Sequence, residues 1–448
     1  MSRFGPAIFR LAHRWRGAGS LQLLDEIAPS PFASAEESAA RQLGQLTELL
    51  EHAGRRVPYY RRLFGQLGFS PRDLTSVSQL AQLPVLTKDL VRAHELELIR
   101  DDVALEQLSA HYSGGSTGVP LRFHRDRAYM DVSEAGTYRN FLQAGWQPGE
   151  MVAFFWGFNE RLQQMGRFEF ETRQRIRRFY QFDPFRSGES DLAAWARTLR
   201  RIRFRVAHGY ASTIARFAEY LERTGEQPRR LKGVFTTAEA LLPQQREVIG
   251  RVFGCPVFDC YGSSEVQNIA AQCPAGRMHV MADFVVLEAA PAPPGQPAPL
   301  LVTSLRNRAM PFIRYRNEDM GILLEDRCEC GRGFPLMDLR VGRISDNFLL
   351  PNGAVVHGEF FTHLLYGSEG VERFQFVQRT PGEIELIVVP LPGPGEARAR
   401  ALQSAVRQVE AMAPGQLRVR VREVAEIPLS AAGKHRFTRS EVVHGAPA

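Results

Sequence analysis

Tyr112-Ser113-Gly114-Gly115-Ser116-Thr117-Gly118-Val119-Pro120 packs three glycines and three aliphatic hydroxyls into the six residues from Ser113 to Gly118. Glycines let a backbone adopt positive φ and come close to an anion, and the hydroxyls add donors. A loop of this kind suits the β- and γ-phosphates of ATP. It is not a Walker A loop, because no Gly-Lys-Ser/Thr follows. Taken alone, it reads equally as a surface turn. On its C-terminal side, short apolar runs alternate with helical periodicity. Met151–Trp156, Gly233–Thr237 and Val257–Tyr261 read as strands, and Asp191–Phe204 and Ala211–Thr224 as helices. That alternation predicts α/β architecture.

Further out, residues 35–64 read as helical, with Leu43, Leu46, Leu49 and Leu50 at helical spacing, and Thr87 reads as the N-cap of a new helix. Ala289–Pro299, rich in proline and alanine, reads as a loop. Beyond Ile344 the spacing predicts strands at Phe374–Gln378, Glu383–Val389 and Leu417–Val424, with a helix over Glu396–Met412. At 448 residues the chain exceeds what one core supports. The expected division is a large multi-layer N-terminal α/β domain, residues 1–344, and a small mobile C-terminal α+β domain, residues 345–448.

Hydrophobic content of 44% and charged content of 23% are ordinary for a globular protein. The formal charge of +7 comes mostly from arginine, much of it in local clusters such as those at 173–178 and 197–205. Clustered arginines suit nucleic acid, but no nucleic-acid motif accompanies them, so a solvated face or attraction of an anionic substrate is the reading taken. No run approaches the roughly 20 apolar residues of a membrane span. Met1–Leu24 is basic, lacks acids, and carries Phe4, Ile8, Phe9, Leu11 and Trp15. A transit peptide or a membrane-surface helix would fit, although a docked terminal helix is the expectation. An odd set of five cysteines argues against a disulfide framework and for a reducing cytoplasm.

Four further motifs carry chemistry. Tyr261-Gly262-Ser263-Ser264-Glu265 follows an apolar strand and places a carboxylate where Mg²⁺ beside phosphate oxygens needs a hard ligand. Arg314–Gly321 contains Asp319, whose two acceptors suit ribose hydroxyls. Arg340-Val-Gly342-Arg343-Ile-Ser345-Asp346 and Pro428-Leu-Ser-Ala-Ala-Gly433-Lys434 complete the set. Separately, Cys273, His279, Cys328 and Cys330 supply three thiols and an imidazole in two short clusters, a donor set for tetrahedral Zn²⁺. Three buried thiols and a surface histidine is the alternative. Cys255 and Cys260 read as strand-core cysteines.

In order and spacing the five motifs resemble those of the adenylate-forming superfamily of acyl-CoA synthetases, from about residue 40 to 440. The SGGSTGVP form of the loop is similar to the phenylacetate–CoA ligase branch and its capsular-polysaccharide-biosynthesis-type relatives. The resemblance implies an AMP-forming acid ligase. ATP activates a small carboxylic acid as an acyl-adenylate, and the acyl group passes to coenzyme A or to another thiol, amine or hydroxyl, such as a carrier protein or sugar. It implies that Ser113, Gly114, Gly115, Ser116, Thr117 and Gly118 hold phosphate, and that Thr237, Ala238 and Glu239 lie against adenine. Tyr261 would stack beside that ring within the segment Gly262, Ser263, Ser264, and Glu265 would hold Mg²⁺. Asp319 would bind ribose, Arg343 would sit near the ribose and hinge, and Lys434 would contact the carboxylate and α-phosphate. Ser345 or Asp346 would be the hinge of the mobile domain.

There are departures. Val119 stands where a lysine is common, Asn317-Glu318-Asp319 replaces Thr-Gly-Asp, and Ser345-Asp346 replaces two aspartates. They weaken the inference to coenzyme A more than that to adenylation. A non-catalytic nucleotide-binding scaffold in polysaccharide or metabolite biosynthesis is the alternative function. The acyl pocket is expected near Phe154–Phe158, His208–Tyr210 and Thr236-Thr237, with Trp156, Phe158 and Tyr210 offering aromatic surface, and with His208 as a structural histidine rather than a base.

Overall fold

The computed structural model describes residues 5–15, 17–113, 121–157, 165–184, 187–239, 241–291, 296–341, 347–365, 368–391, 395–428 and 437–442. Strands β1 (Ser109–Ser113) and β2 (Leu121–Arg125) pair antiparallel. Strands β3 (Met151–Phe155), β4 (Phe179–Phe182), β5 (Phe204–Tyr210), β6 (Gly233–Thr237) and β7 (Val257–Tyr261) lie parallel in the order β4-β3-β5-β6-β7. The sheet then continues antiparallel through β8 (Ala270–Gln272), β9 (Met278–Val280), β10 (Val285–Ala289), β11 (Ala298–Ser304), β12 (Tyr315–Leu324) and β13 (Leu336–Val341). The whole has the order β10-β11-β12-β13-β9-β8-β7-β6-β5-β3-β4.

The parallel half shows why these sequences form strands buried on both faces. Val152, Val206, Phe235 and Phe258 enter one core together with Tyr138 and Phe141 of the helix Arg127–Leu142. Their neighbours in sequence, Met151, Ala153, Ala207, Val234 and Val257, enter another, under the helices Glu189–Arg201, Ala211–Arg223 and Pro243–Phe253. Period-two alternation between two apolar faces makes a helix–sheet–helix sandwich. Strand order reverses at β3 and β5, since β4 lies on one side of β3 and the chain then returns past it to form β5. Ligand crevices in such sheets open at the carboxyl ends of the two strands flanking that reversal.

Residues 347–442 carry β14 (Asn347–Leu349), β15 (Val355–His357), β16 (Val371–Thr380), β17 (Glu383–Pro390), β18 (Arg418–Glu423) and β19 (Thr438–Ser440). The last four form a sheet of order β18-β17-β16-β19, backed by the helices Gly358–Leu365 and Gly395–Glu410. Phe348, Phe361, Phe374, Phe376, Leu386 and Ala405 give this region a core of its own.

Some expectations need correction. The helix expected over 35–64 is two helices, Ala35–Arg56 and Pro58–Leu67. Pro58 lacks the amide hydrogen that would continue the first, and it pushes Val57 to an extended conformation. The helix expected to reach Phe204 stops at Arg201, because Phe204 opens β5. Ala289 and Ala298–Pro299 belong to strands rather than to a loop. Cys255 precedes β7, while Cys260 lies within it. The Thr87 cap is present, its Oγ1 accepting from Leu90 N at 3.3 Å. The terminal helix Gly5–Trp15 is docked through the buried Phe9 and His13.

Candidate active site

At the carboxyl end of β7, Tyr261 leads into a tight turn in which Ser263 N donates to Val266 O at 2.8 Å and Val266 N to Ser263 Oγ at 3.1 Å. The turn carries Glu265 into full burial, where its Oε1 accepts from Tyr315 Oη at 2.7 Å. Two residues further along β12, Asn317 Nδ2 donates to Tyr261 Oη at 2.7 Å and to Asp319 Oδ2 at 3.1 Å. Tyr261 Oη in turn donates to Asp319 Oδ2 at 2.8 Å. Tyr315, Asn317 and Asp319 share one face of β12 because strand side chains alternate. β12 and β7 are separated by β13, β9 and β8 in the sheet, yet these side chains touch. The antiparallel half therefore curls towards closure, and the curl buries both Glu265 and Asp319 between the end of β7 and β12.

Arg125 fastens this region from outside the five motifs. It ends β2, is buried, and lies over the Phe123 and Tyr129 rings at 5.1 and 5.4 Å. Its Nη2 donates to Ser264 O. Burial pulls the guanidinium pKa down, and the charges of Tyr129 and Glu265 oppose that. Tyr129 Oη also accepts from Gln267 N at 3.0 Å. Ser113 closes the other end of the β1–β2 pair, opposite Leu121, about 13 Å along the strand at about 3.3 Å per residue.

Thr237 ends β6 and Ala238-Glu239 follow it, with Ala238 at φ 70°. The Glu239 carboxylate accepts from Ser212 N at 2.6 Å, at the amino end of the helix Ala211–Arg223 where a negative charge is favoured. Nearby, Thr236 Oγ1 donates to Asp259 Oδ1 at 3.0 Å, and burial pushes the Asp259 carboxyl up to about 6.

At the β3/β5 reversal the rings of His208, Phe154, Trp156 and Tyr210 form one row. Phe154 stacks on His208 at 5.7 Å and on Trp156 at 5.8 Å, and Trp156 on Tyr210 at 4.7 Å. The strands come this close because residue 209 is glycine: at φ 149°, a Cβ there would stand 2.1 Å from Phe155 O. His208 Nδ1 donates to Phe235 O at 3.0 Å, and burial lowers its pKa to about 4, so it is a neutral, satisfied histidine.

Cys273, His279, Cys328 and Cys330 converge, with every ligand atom within 4.8 Å of the others. Cys273 and Cys328 Sγ are 3.7 Å apart, and Cys330 Sγ lies 3.3 Å from His279 Nε2. A tetrahedron with bonds of about 2.3 Å has edges of about 3.8 Å, so the spacing fits a tetrahedral ion. His279 Nδ1 donates to Phe334 O at 3.0 Å, which leaves Nε2 as the nitrogen available to an ion.

Gly114, Gly115, Ser116, Thr117, Gly118, Phe158, Arg343, Ser345, Asp346 and Lys434 lie outside the described residues. The residues that sequence reasoning passed over are Arg125, Tyr315 and Asn317. For the latter two a signal exists, since Tyr315, Asn317 and Asp319 alternate with Arg316 and Glu318. For Arg125 there is none short of tertiary structure.

The fold is that of an acyl-CoA ligase. 2-Hydroxyisobutyryl-CoA ligase in complex with 2-HIB-AMP and CoA superimposes with a TM-score of 0.62 at 22% identity, covering 92% of each chain. The same enzyme in the postadenylation state gives 0.58 at 22%, covering 92% of this chain and 91% of that one. No protein-family model matches the chain. In sequence the chain resembles the phenylacetate–CoA ligase and CapK branch of the adenylate-forming superfamily. It is 26% identical to a phenylacetate-coenzyme A ligase of Thermus thermophilus over 78% of this chain and 80% of that protein. It is 28% identical to the Escherichia coli phenylacetate-coenzyme A ligase over 74% and 76%. Protein CapK of Staphylococcus aureus is 24% identical over 77% and 76%.

Proposed function

We propose that this chain is an AMP-forming acid ligase, which activates a carboxylic acid with ATP and passes the acyl group to coenzyme A or another nucleophile. One observation carries the reading. Two acids from separate motifs are each hydrogen-bonded between the end of β7 and β12, Glu265 to Tyr315 and Asp319 to Tyr261, at the carboxyl end of the parallel strands. The Thermus thermophilus and Escherichia coli relatives are named as coenzyme A ligases, which agrees with it.

In this reading a carboxylate oxygen attacks the α-phosphorus and pyrophosphate departs with the electrons of the broken P–O bond. A thiol, amine or hydroxyl then attacks the acyl carbon and AMP leaves. Asp319, oriented by Tyr261 and Asn317, takes the ribose hydroxyls. Ser113–Gly118 and Thr237–Glu239 take the phosphates and adenine. Mg²⁺, held by Glu265, would neutralise charge on the phosphate oxygens. Lys434 meets the charge that develops between the two reacting anions, with Arg343 near the ribose and Ser345 or Asp346 as the hinge. The separate core of residues 347–442 supports a division at 344/345. The acid enters at the β3/β5 reversal, where the aromatic row favours an apolar or aromatic acid. Cys273, His279, Cys328 and Cys330 hold a structural Zn²⁺, pinning the β8–β9 hairpin to the loop after β12. The cytoplasm is the compartment suggested by five free cysteines.

ATP–pyrophosphate exchange across a panel of acids, first without acceptors and then with coenzyme A or amines, tests this. Exchange with at least one acid is expected, and Lys434→Ala should slow it about a hundred-fold or more, as loss of a charge at the developing oxyanion does. Nucleotide binding with no exchange on any acid would favour the scaffold instead. Wild-type exchange in Lys434→Ala would remove that lysine from the mechanism.

A further inference from the structure

The three most exposed large apolar side chains among the described residues lie on two helices that pack against each other. Trp15 is 90% and Leu11 69% exposed on Gly5–Trp15, and Phe168 is 86% exposed on Arg167–Arg177. Each helix has an inner face that explains its docking. Phe9 and His13 are buried on the first, and Phe170 packs on the core from the second. Leu11 and Trp15, one turn apart, share the opposite face of their helix, and Ile176 adds a further exposed apolar group on the second. Core packing therefore accounts for neither outer face.

The two helices carry an excess of positive charge. The first 24 residues hold four arginines and no acid. The stretch 167–178 holds five arginines against Glu169 and Glu171. Glu171 is already engaged by Arg201 at 2.6 Å and by Arg175 at 3.5 Å. An occupant has to offer negative charge at the level of the arginines and apolar depth for side chains that protrude. An anionic phospholipid surface offers both, with indole and phenyl rings at the headgroup boundary and arginines beside the phosphates. Nothing in this patch spans a bilayer: no helix of the described residues is long and apolar enough to do so.

We propose that this helix pair seats the protein on the surface of an anionic membrane. The proposal is independent of the ligase reading, since it concerns another face and is tested without nucleotide. The test is co-sedimentation of the full chain with phosphatidylcholine vesicles, with and without about 30% phosphatidylglycerol. Binding is expected to the anionic vesicles only, to weaken with salt, and to blue-shift tryptophan emission. Trp15→Ser and Phe168→Ser should each weaken it about ten-fold or more, while Trp15→Phe retains most of it. Both side chains are exposed, so the variants should keep the wild-type circular dichroism and pyrophosphate exchange. Failure of the wild type to bind anionic vesicles overturns the proposal. So does binding that neither serine variant changes. A concentration-dependent dimer that Trp15→Ser dissociates, without vesicle binding, would make the face a self-association surface instead.

Discussion

Tyr315→Phe removes a single oxygen from the centre of the candidate site. The Tyr315 side chain is fully buried, and its ring packs edge-on against Phe312 at 4.9 Å, so the phenyl ring of the variant keeps its packing. What is lost is the 2.7 Å hydrogen bond to Glu265 Oε1, inside a region where Glu265 itself has no exposed surface. A neutral hydrogen bond contributes about 1 kcal/mol net, whereas one to a charged group contributes about 1.5–3 kcal/mol. With a buried carboxylate as acceptor, the larger figure applies, and Tyr315→Phe should cost about 1.5–3 kcal/mol. Urea unfolding followed through the transition of the candidate-site core measures it, with Glu265→Gln completing a double-mutant cycle. In the Glu265→Gln background the same substitution should cost about 1 kcal/mol or less, because the acceptor is no longer charged. Pyrophosphate exchange should fall in Tyr315→Phe, since the carboxylate loses the group that orients it. A stability loss under about 0.5 kcal/mol, with no coupling in the cycle, would refute the charge-assisted role of this hydroxyl.

Protein purified without chelator should contain about one equivalent of zinc, and Cys273→Ser should lose it together with thermal stability; less than about half an equivalent by elemental analysis would count against the site. Asp259→Asn should stabilise the fold at neutral pH. The Asp259 carboxyl is held up at about 6 by burial, with the charge of Glu239 adding to this, so stability is intact below the ordinary carboxyl value and is lost as pH rises through 6. The gain should be on the order of 2 kcal/mol at pH 7.5 and should vanish near pH 4, as read from paired thermal melts. Gly209→Ala should cost at least about 2 kcal/mol or prevent folding, because its Cβ would sit 2.1 Å from Phe155 O; a variant with wild-type melting would show that the two strands can part there.

What could be read in advance divides along physical lines. Three of the five parallel strands, β3, β6 and β7, announce themselves as short apolar runs, whereas β4 and the start of β5 carry Gln181 and Arg205 and do not. The antiparallel half does not. β8 and β9 are three residues each, too short for a period to emerge, and β12 carries Arg316, Asn317, Glu318 and Asp319 in its first half. A strand whose inward face is polar looks like a loop to any reading that expects apolar alternation. Arg125 was unreadable for a different reason, since its partner carbonyl belongs to a turn far away in the chain.

Asn317 shows how a departure from a motif can be misjudged when the strand is missed. As one residue in a list, it weakens the likeness to Thr-Gly-Asp. On the inner face of β12, its amide nitrogen reaches both Tyr261 Oη and Asp319 Oδ2, while its Oδ1 accepts from Asp319 N at 3.2 Å. A glycine before the aspartate would leave the backbone free, and a threonine would offer one hydroxyl. The asparagine supplies a two-proton donor and an acceptor on separate atoms, fixing the carboxylate relative to its own backbone and to the neighbouring aromatic ring. The pre-organisation expected of a ribose-binding acid is thus built by a residue that departs from the motif.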